Sequence, residues 1–268
     1  MKTLIKERPL PFSPDMVLAT LRGWKTQTSR TLGLERFNNP PEWPVGPHGD
    51  TWEICYFLEE KPGRWLAISN DETGEFPGDF DPWVKCPYGK TGDRLWVREP
   101  WKVGAWQWCE PYIAVDYISD GYIRKEWLPV SYDVHTRLVR QSMQDFDKSG
   151  VRSSKLKYWE PGEAPTRVRQ AMFMPRTVSR ILLEITDIKI KRLKRITWRE
   201  AEAEGIEQIF YDEETSVTGW KNYLDPERMC CQARDSFFTL WDCINGAGAS
   251  EKDPWVWMIK FKVLEIKE

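Results

Sequence analysis

The chain has 268 residues, 41% of them hydrophobic, which is enough for a sizeable core in one large or two ordinary domains. Its formal net charge is −2, so it lacks a global positive field and any nucleic-acid binding would need a local patch. Six cysteines without a C-x-x-C pair and two distant histidines argue against structural zinc. No apolar run approaches the ~20 residues of a membrane span, and no secretory signal opens the sequence. We therefore expect a cytoplasmic protein with reduced thiols.

The first predicted element is a short amphipathic helix over residues 13–22. Ser13 is its expected N-cap, Pro14 takes the first helical position and Gly23 is the expected left-handed stop. The run that follows, up to Arg30, places an amine, hydroxyls and a guanidinium on a turn anchored by a packed helix. Functional side chains are often found in such a position.

The middle of the chain predicts short strands and long connections. Residues 34–47 lack periodicity and predict a loop. The alternating or β-rich segments predict two hairpins, 52–58 with 64–68 and 112–117 with 122–128, and a strand over 95–98. Residues 141–169 are polar and basic, which favours a mobile insertion, with a nucleic-acid-contacting loop as the alternative.

The last third of the chain predicts two strands and two helices. Residues 181–193 and 254–264 are the strands. A short helix over 197–205 carries a capping box of Thr197 and Glu200, and the longest helix is expected over 225–244. Strands at irregular intervals with three helices indicate an α+β fold around a small mixed barrel, without βαβ winding.

Several short motifs, taken in this order, resemble the ASCH domain family. They are residues 23–28, residues 89–99, residues 201–206 and a final tryptophan-rich strand, and they cover somewhat under half of the chain. The larger phage and prophage members are the most similar, with Met-Pro-Arg at 174–176 and Ser-Arg at 179–180. Before the final Pro-Trp-Val-Trp, Asp253 replaces their asparagine.

The resemblance implies a fold and a domain organisation. It implies a single PUA-like domain over residues 1–268, built on a small mixed β-barrel with flanking helices. Long insertions are expected at about 34–86, 104–170 and 207–225.

The resemblance also implies catalytic residues. In small bacterial ASCH amidohydrolases, which remove the acetyl group of N4-acetylcytidine, the matching positions fall here on Lys25, Thr28 and Glu204. Amide hydrolysis needs an activated nucleophile, a proton carrier and support for the oxyanion, and these residue types could supply them. Trp24 replaces the basic residue of those enzymes, so a more aromatic and less cationic pocket mouth is expected. Without the resemblance, Lys25 and Glu204 would be read as solvated side chains at helix ends.

A second set of residues is expected to contact the base or the phosphates of a ligand. Guanidinium groups suit phosphates and base edges, and aromatic rings can stack on bases. The set is Trp24, Arg30, Trp96, Arg98, Glu99, Trp101, Arg176 and Arg180. The alternatives left open by the sequence are ion pairs of these arginines with Glu99 or Glu184, and packing of the tryptophans in the core.

Three functions remain open from the sequence. The first is an amidohydrolase acting, without metal or cofactor, on N4-acylated or otherwise modified cytidine. The second is a non-catalytic module that binds a modified base or nucleic acid, RNA rather than DNA. The third is a phage protein that acts on a host factor. Membrane partners are not expected, and the sequence does not give the oligomeric state.

Overall fold

The computed structural model describes residues 4–40, 53–70, 76, 78–151, 159–212 and 217–267, and its secondary structure is mixed α+β, as predicted. The described strands are β1 (Glu7–Pro11), β2 (Gln27–Arg30), β3 (Ile54–Lys61), β4 (Arg64–Ser69), β5 (Trp83–Lys85), β6 (Arg94–Arg98), β7 (Trp101–Trp106), β8 (Tyr112–Tyr117), β9 (Ile123–Pro129), β10 (Ile181–Arg192), β11 (Gln208–Asp212), β12 (Val217–Lys221), β13 (Met229–Cys230) and β14 (Trp255–Ile266). The described α-helices are α1 (Pro14–Leu21), α2 (Glu35–Asn38), α3 (Tyr132–Ser149), α4 (Trp198–Ala203) and α5 (Ala233–Asn245).

The described strands form four open sheets. The largest has five strands in the order β1-β6-β10-β14-β2, and the others are β3-β4-β5, β7-β8-β9 and β11-β12-β13. Each of these sheets has two edge strands, so none of them closes into a barrel within the described residues. The mixed class predicted from the sequence is confirmed at this coarser level.

The chain folds into two compact units. Unit 1 comprises residues 1–6, 22–94 and 184–262, and unit 2 comprises 7–21, 95–183 and 263–268. In unit 1, α4 and α5 pack with β14 around a cluster that includes Ala201, Phe237, Leu240, Val256 and Met258. The single-domain assignment with three insertions stays a prediction.

Unit 2 has its own apolar cluster. Trp101 and Val103 of β7 pack there with Val115 of β8, Leu138 of α3 and Met174. The strands β7, β8 and β9 pair antiparallel around this cluster.

Local sequence signals placed several elements correctly. Ser13 Oγ accepts from the Met16 backbone N–H at 3.4 Å, as expected of an N-cap. Gly23 has a φ of +76°, the left-handed value that favours glycine. Thr197 and Glu200 form the predicted capping box at the start of α4. Both predicted hairpins exist as the antiparallel pairs β3–β4 and β8–β9.

Three predictions about helices were wrong. The helix expected from Asp225 begins at Ala233, because Met229 and Cys230 pair with β12 as β13. The expected mobile insertion of 141–169 is helical through Ser149, as the second half of α3, while residues 152–158 lie outside the described residues. The loop expected over 34–47 contains α2, and its residues 41–47 also lie outside the described part.

Candidate functional site

The central feature of unit 1 is a buried ion pair between Lys25 and Glu204. Lys25 Nζ donates to Glu204 Oε2 at 3.0 Å and to the Glu204 backbone carbonyl at 2.7 Å. The two residues are 179 positions apart in sequence. Backbone hydrogen bonds hold the segment beside Lys25, since Thr26 donates to the Ala203 carbonyl and accepts from the Phe261 N–H, both at 2.9 Å. The end of α4 therefore brings its carboxylate to the lysine.

Two further polar side chains contact the same carboxylate. Ser29 Oγ donates to Glu204 Oε1 at 2.6 Å, and Gln27 Nε2 lies 3.4 Å from that oxygen. Both belong to β2, which pairs antiparallel with β14. Alternate residues of a strand share a face, so Gln27 and Ser29 point together towards Glu204.

Thr28 does not join this cluster. It lies between Gln27 and Ser29 on β2, so strand alternation directs its side chain to the opposite face. Thr28 is buried, and its Oγ1 forms no hydrogen bond with any described residue. Of the three predicted catalytic residues, the structure brings together Lys25 and Glu204 and leaves Thr28 apart from them.

Burial sets the electrostatics of the pair. Lys25 is 1% exposed and Glu204 4%. Desolvation lowers the pKa of the Lys25 amine, the carboxylate of Glu204 opposes this shift, and the charge of Arg30 adds to it, leaving the pKa below its ordinary value. Desolvation likewise lowers the pKa of Arg30, and it raises the pKa of the neighbouring Tyr88 to about 12. The cluster is therefore a desolvated site in which an amine gives up its proton more readily than in water.

The sequence reasoning missed Gln27 and Ser29. The sequence did contain a signal for them, which is the two-residue spacing of Lys25, Gln27 and Ser29. In a strand, residues at this spacing have their side chains on the same face. The resemblance instead indicated Thr28, which lies between them in the sequence.

The predicted ligand-contacting residues are spread over both units. In unit 1, Trp24 is 49% exposed, with the Arg22 guanidinium 5.0 Å from its ring, and Arg30 is half-buried. The remaining six, Trp96, Arg98, Glu99, Trp101, Arg176 and Arg180, belong to unit 2.

Within unit 2, most of the predicted set is engaged in internal contacts. Arg180 donates to both carboxylate oxygens of Glu99, at 2.8 and 2.9 Å, and to Asp120 at 2.5 Å. Arg176 pairs with Glu7 at 2.9 Å. Such ion pairs were the alternative that the sequence left open, and Arg180 pairs with Glu99 as that alternative expected.

The two tryptophans of unit 2 that were predicted to contact a ligand, Trp96 and Trp101, are core residues in this structure. Trp101 is fully buried, and Trp96 is buried beneath the guanidinium of Arg98, 4.5 Å from its ring. Neither ring is free to stack on a base. Arg98 itself is half-buried and donates to the Met172 carbonyl at 3.1 Å.

The described residues contain no group of three or more His, Cys, Asp or Glu placed to hold a metal ion. None of their helices combines the length and the apolar character needed to cross a membrane. Comparison with protein-family models, with curated proteins and with solved structures gives no match to this chain.

Proposed function

We propose that the chain is an ASCH-family protein with a PUA-like fold, and that it hydrolyses the amide bond of an N4-acylated cytidine. The resemblance in the sequence supplies the family and the substrate class. The buried pair of Lys25 and Glu204, joined by the Ser29 hydroxyl, is the one structural observation that carries the proposal. The amine and the hydroxyl both contact the Glu204 carboxylate, and these three kinds of group are the ones that amide hydrolysis needs.

In the proposed reaction, Ser29 is the nucleophile. Its hydroxyl proton passes to Glu204 Oε1 as Ser29 Oγ bonds to the acyl carbon. The Lys25 ammonium protonates the departing N4 amine as the C–N bond breaks, a role that its lowered pKa favours. Protonated Glu204 then returns a proton to Lys25, 3.0 Å away. Water hydrolyses the acyl ester of Ser29, which releases the carboxylic acid and restores the hydroxyl.

The resemblance instead nominates Thr28 as the nucleophile, and a matched pair of variants distinguishes the two. Ser29→Ala removes the hydroxyl that contacts Glu204, and Thr28→Val removes one that contacts no described polar group. If Ser29 is the nucleophile, only Ser29→Ala abolishes hydrolysis. If Thr28 is, the inactive variant is Thr28→Val, and β2 must rearrange when substrate binds.

Substrate access adds a condition to this proposal. Lys25, Gln27, Ser29 and Glu204 are all at most 4% exposed. A nucleoside therefore reaches them only after covering side chains move, and such opening steps commonly limit turnover.

The test is the release of cytidine from N4-acetylcytidine, followed by chromatography. We expect Lys25→Met and Glu204→Gln to lower kcat/KM by a factor of about 10² to 10⁴, the usual contribution of an acid or base. The matched control is Lys262→Met, which removes an exposed lysine that pairs with Glu184 at 3.0 Å. The control should keep wild-type activity. A wild-type protein inert towards a series of N4-acylated cytidines overturns the proposal.

The second candidate is a non-catalytic binding module, in which the Lys25–Glu204 pair only stabilises the fold. The full burial of the pair favours this candidate, since no open cleft is needed. It predicts binding of modified nucleosides or RNA with no turnover, and equal binding by Lys25→Met when folding is intact. The host-factor hypothesis stays a prediction that no structural observation favours.

A further inference from the structure

Unit 2 contains a cavity of about 710 Å³ that lies outside the Lys25 site. It is formed by the end of β6, one face of α3 and the segment that precedes β10. This volume is within the range of small-molecule sites, roughly 300–1,000 Å³. Its lining residues are Arg98, Arg137, Leu138, Gln141, Arg167, Val168, Arg169, Gln170, Met172, Phe173, Met174 and Pro175.

The lining is strongly positive. It contains four arginines and two glutamines, and no aspartate or glutamate. Asp145 offsets part of this charge, since its carboxylate lies 3.8 Å from Arg167 and 3.9 Å from Arg169. Arg137 is exposed and forms no ion pair with the described part of the chain. The cavity therefore concentrates positive charge in a protein whose net charge is −2.

Two of the guanidinium groups are fixed in position and incompletely satisfied. Arg98 lies over the Trp96 ring at 4.5 Å, and Arg169 lies over the Trp101 ring at 5.4 Å. The Nε of each is buried and has no hydrogen-bond partner among the described residues. Buried N–H donors are normally paired, so an acceptor from a ligand would complete both groups.

Exposed apolar side chains border the charged part. Phe173 is 65% exposed and Met172 60%, although both are large hydrophobic residues. A flat apolar group of a ligand can pack on them, while arginines bind phosphate oxygens through paired N–H donors. Phosphate ester and aromatic base occur together in a nucleotide.

We propose that this cavity binds a nucleotide, with its phosphate held by the arginines and its base against Phe173 and Met172. The nucleotide can be free or part of a single-stranded nucleic acid, and the chemistry recognised is the same. This site is independent of the proposed hydrolysis, because all its residues belong to unit 2.

The test measures binding of the full chain by fluorescence anisotropy and calorimetry at 50 mM salt. The probes are a ten-nucleotide single-stranded RNA, a DNA of the same sequence, cytidine 5′-monophosphate, and cytidine as the ligand without phosphate. Binding of an oligonucleotide alone identifies a nucleic-acid site, and binding of the monophosphate identifies a free-nucleotide site. Either result supports the proposal, whereas cytidine binding as tightly as the monophosphate, or no binding of any probe, overturns it.

Variants assign the binding to this cavity. Arg137→Gln should weaken binding about tenfold, the loss expected for one charged phosphate contact. For an oligonucleotide it should also reduce the salt dependence by about one ion. Arg140→Gln is the matched control, since Arg140 is exposed on the same helix and does not line the cavity. Phe173→Ala should weaken binding of the base without changing the salt dependence. Equal losses in Arg137→Gln and Arg140→Gln contradict the assignment, and both sites are exposed, so folding should be unaffected.

Discussion

Each unit buries an ion pair between residues distant in sequence, and the two pairs differ in how the cation is satisfied. In unit 2, burial alone would lower the pKa of Arg180, but hydrogen bonds to Glu99 and Asp120 outweigh it and raise that pKa. In unit 1, burial of Lys25 outweighs the attraction of the Glu204 carboxylate, and the pKa of the amine is lowered. The partners of Arg180 therefore make its proton harder to remove, whereas the burial of Lys25 makes its proton easier to remove.

The difference shows which pair suits chemistry. A guanidinium that donates to three carboxylate oxygens has its charge fully matched, as expected of a structural contact. The Glu204 carboxylate that pairs with Lys25 also contacts Ser29 and Gln27, so the proton of the Lys25 amine can move within the cluster. Perturbed pKa values of this kind are typical of functional sites.

The largest effect should follow from Arg180→Met. This change leaves the buried carboxylate of Glu99 and the half-buried carboxylate of Asp120 without their cation, and breaking a buried pair typically costs about 3–5 kcal/mol. Urea unfolding should show a free energy of unfolding lower by that amount. Arg176→Met breaks the partly exposed pair with Glu7 and should cost less than about 1 kcal/mol. Similar losses in the two variants would mean that the Arg180 network is not the structural pair of unit 2.

Lys25→Met should cost somewhat less, about 3 kcal/mol, because Glu204 keeps Ser29 and Gln27 as donors. The double variant Lys25→Met with Glu204→Gln removes both charges and should recover part of that loss. The measurement is a double-mutant cycle in urea. Additive effects would contradict a direct coupling between the two side chains.

Ser29→Ala should cost about 1–2 kcal/mol, since it removes a buried donor to a charged acceptor. Thr28→Val should change stability by less than about 0.5 kcal/mol, or increase it, because a buried hydroxyl without a partner is lost. Thermal and urea unfolding compare the two. A larger loss in Thr28→Val would show that its hydroxyl has a partner in solution.

The pH dependence of stability should reveal the Lys25 proton. The pKa of the folded amine lies below the ordinary 10.5, so in the window between the two values the unfolded chain binds more protons. The wild type should therefore gain stability relative to Lys25→Met as pH rises towards 10.5, by at most about 1.4 kcal/mol per pH unit. Urea midpoints measured at several alkaline pH values test this. A relative loss of stability with rising pH would mean that the pKa is raised instead.

The sequence predicted elements whose signals are local. The Thr197–Glu200 capping box and the glycine stop at Gly23 depend on neighbours in the chain, and both were placed correctly. The predicted start of α5 was wrong. Asp225 has the residue type of an N-cap, but Met229 and Cys230, which follow it, pair with β12 as a strand. A strand pairing of this kind is a tertiary contact, which overrides local propensity.

The helix α3 was not predicted, because its sequence is mostly polar and charged. Ser131 caps it, Gly150 ends it, and His135, Leu138 and Ser142 face inward at helical spacing. Composition alone does not reveal this row of inward-facing residues, because most other positions of the helix are charged or polar.

The site was predicted only in part. The resemblance nominated Lys25 and Glu204, which composition and periodicity alone would have left as surface charges. Ser29 was missed because the run up to Arg30 was expected to form a turn. Residues 27–30 instead pair with β14 as strand β2, in which alternate side chains share one face.

The most direct measurement is the titration of the Lys25 amine by NMR, with nitrogen-15 in the lysine side chains and Lys25→Met to assign the signal. We predict a pKa below 10.5 in the wild type and a still lower one in Glu204→Gln, which removes the charge that favours the ammonium. A pKa at or above 10.5 that is unchanged in Glu204→Gln would show that Lys25 is as firmly protonated as an exposed lysine. That result would contradict the claim that, of the Lys25–Glu204 and Arg180–Glu99 ion pairs, the Lys25–Glu204 pair is the reactive one.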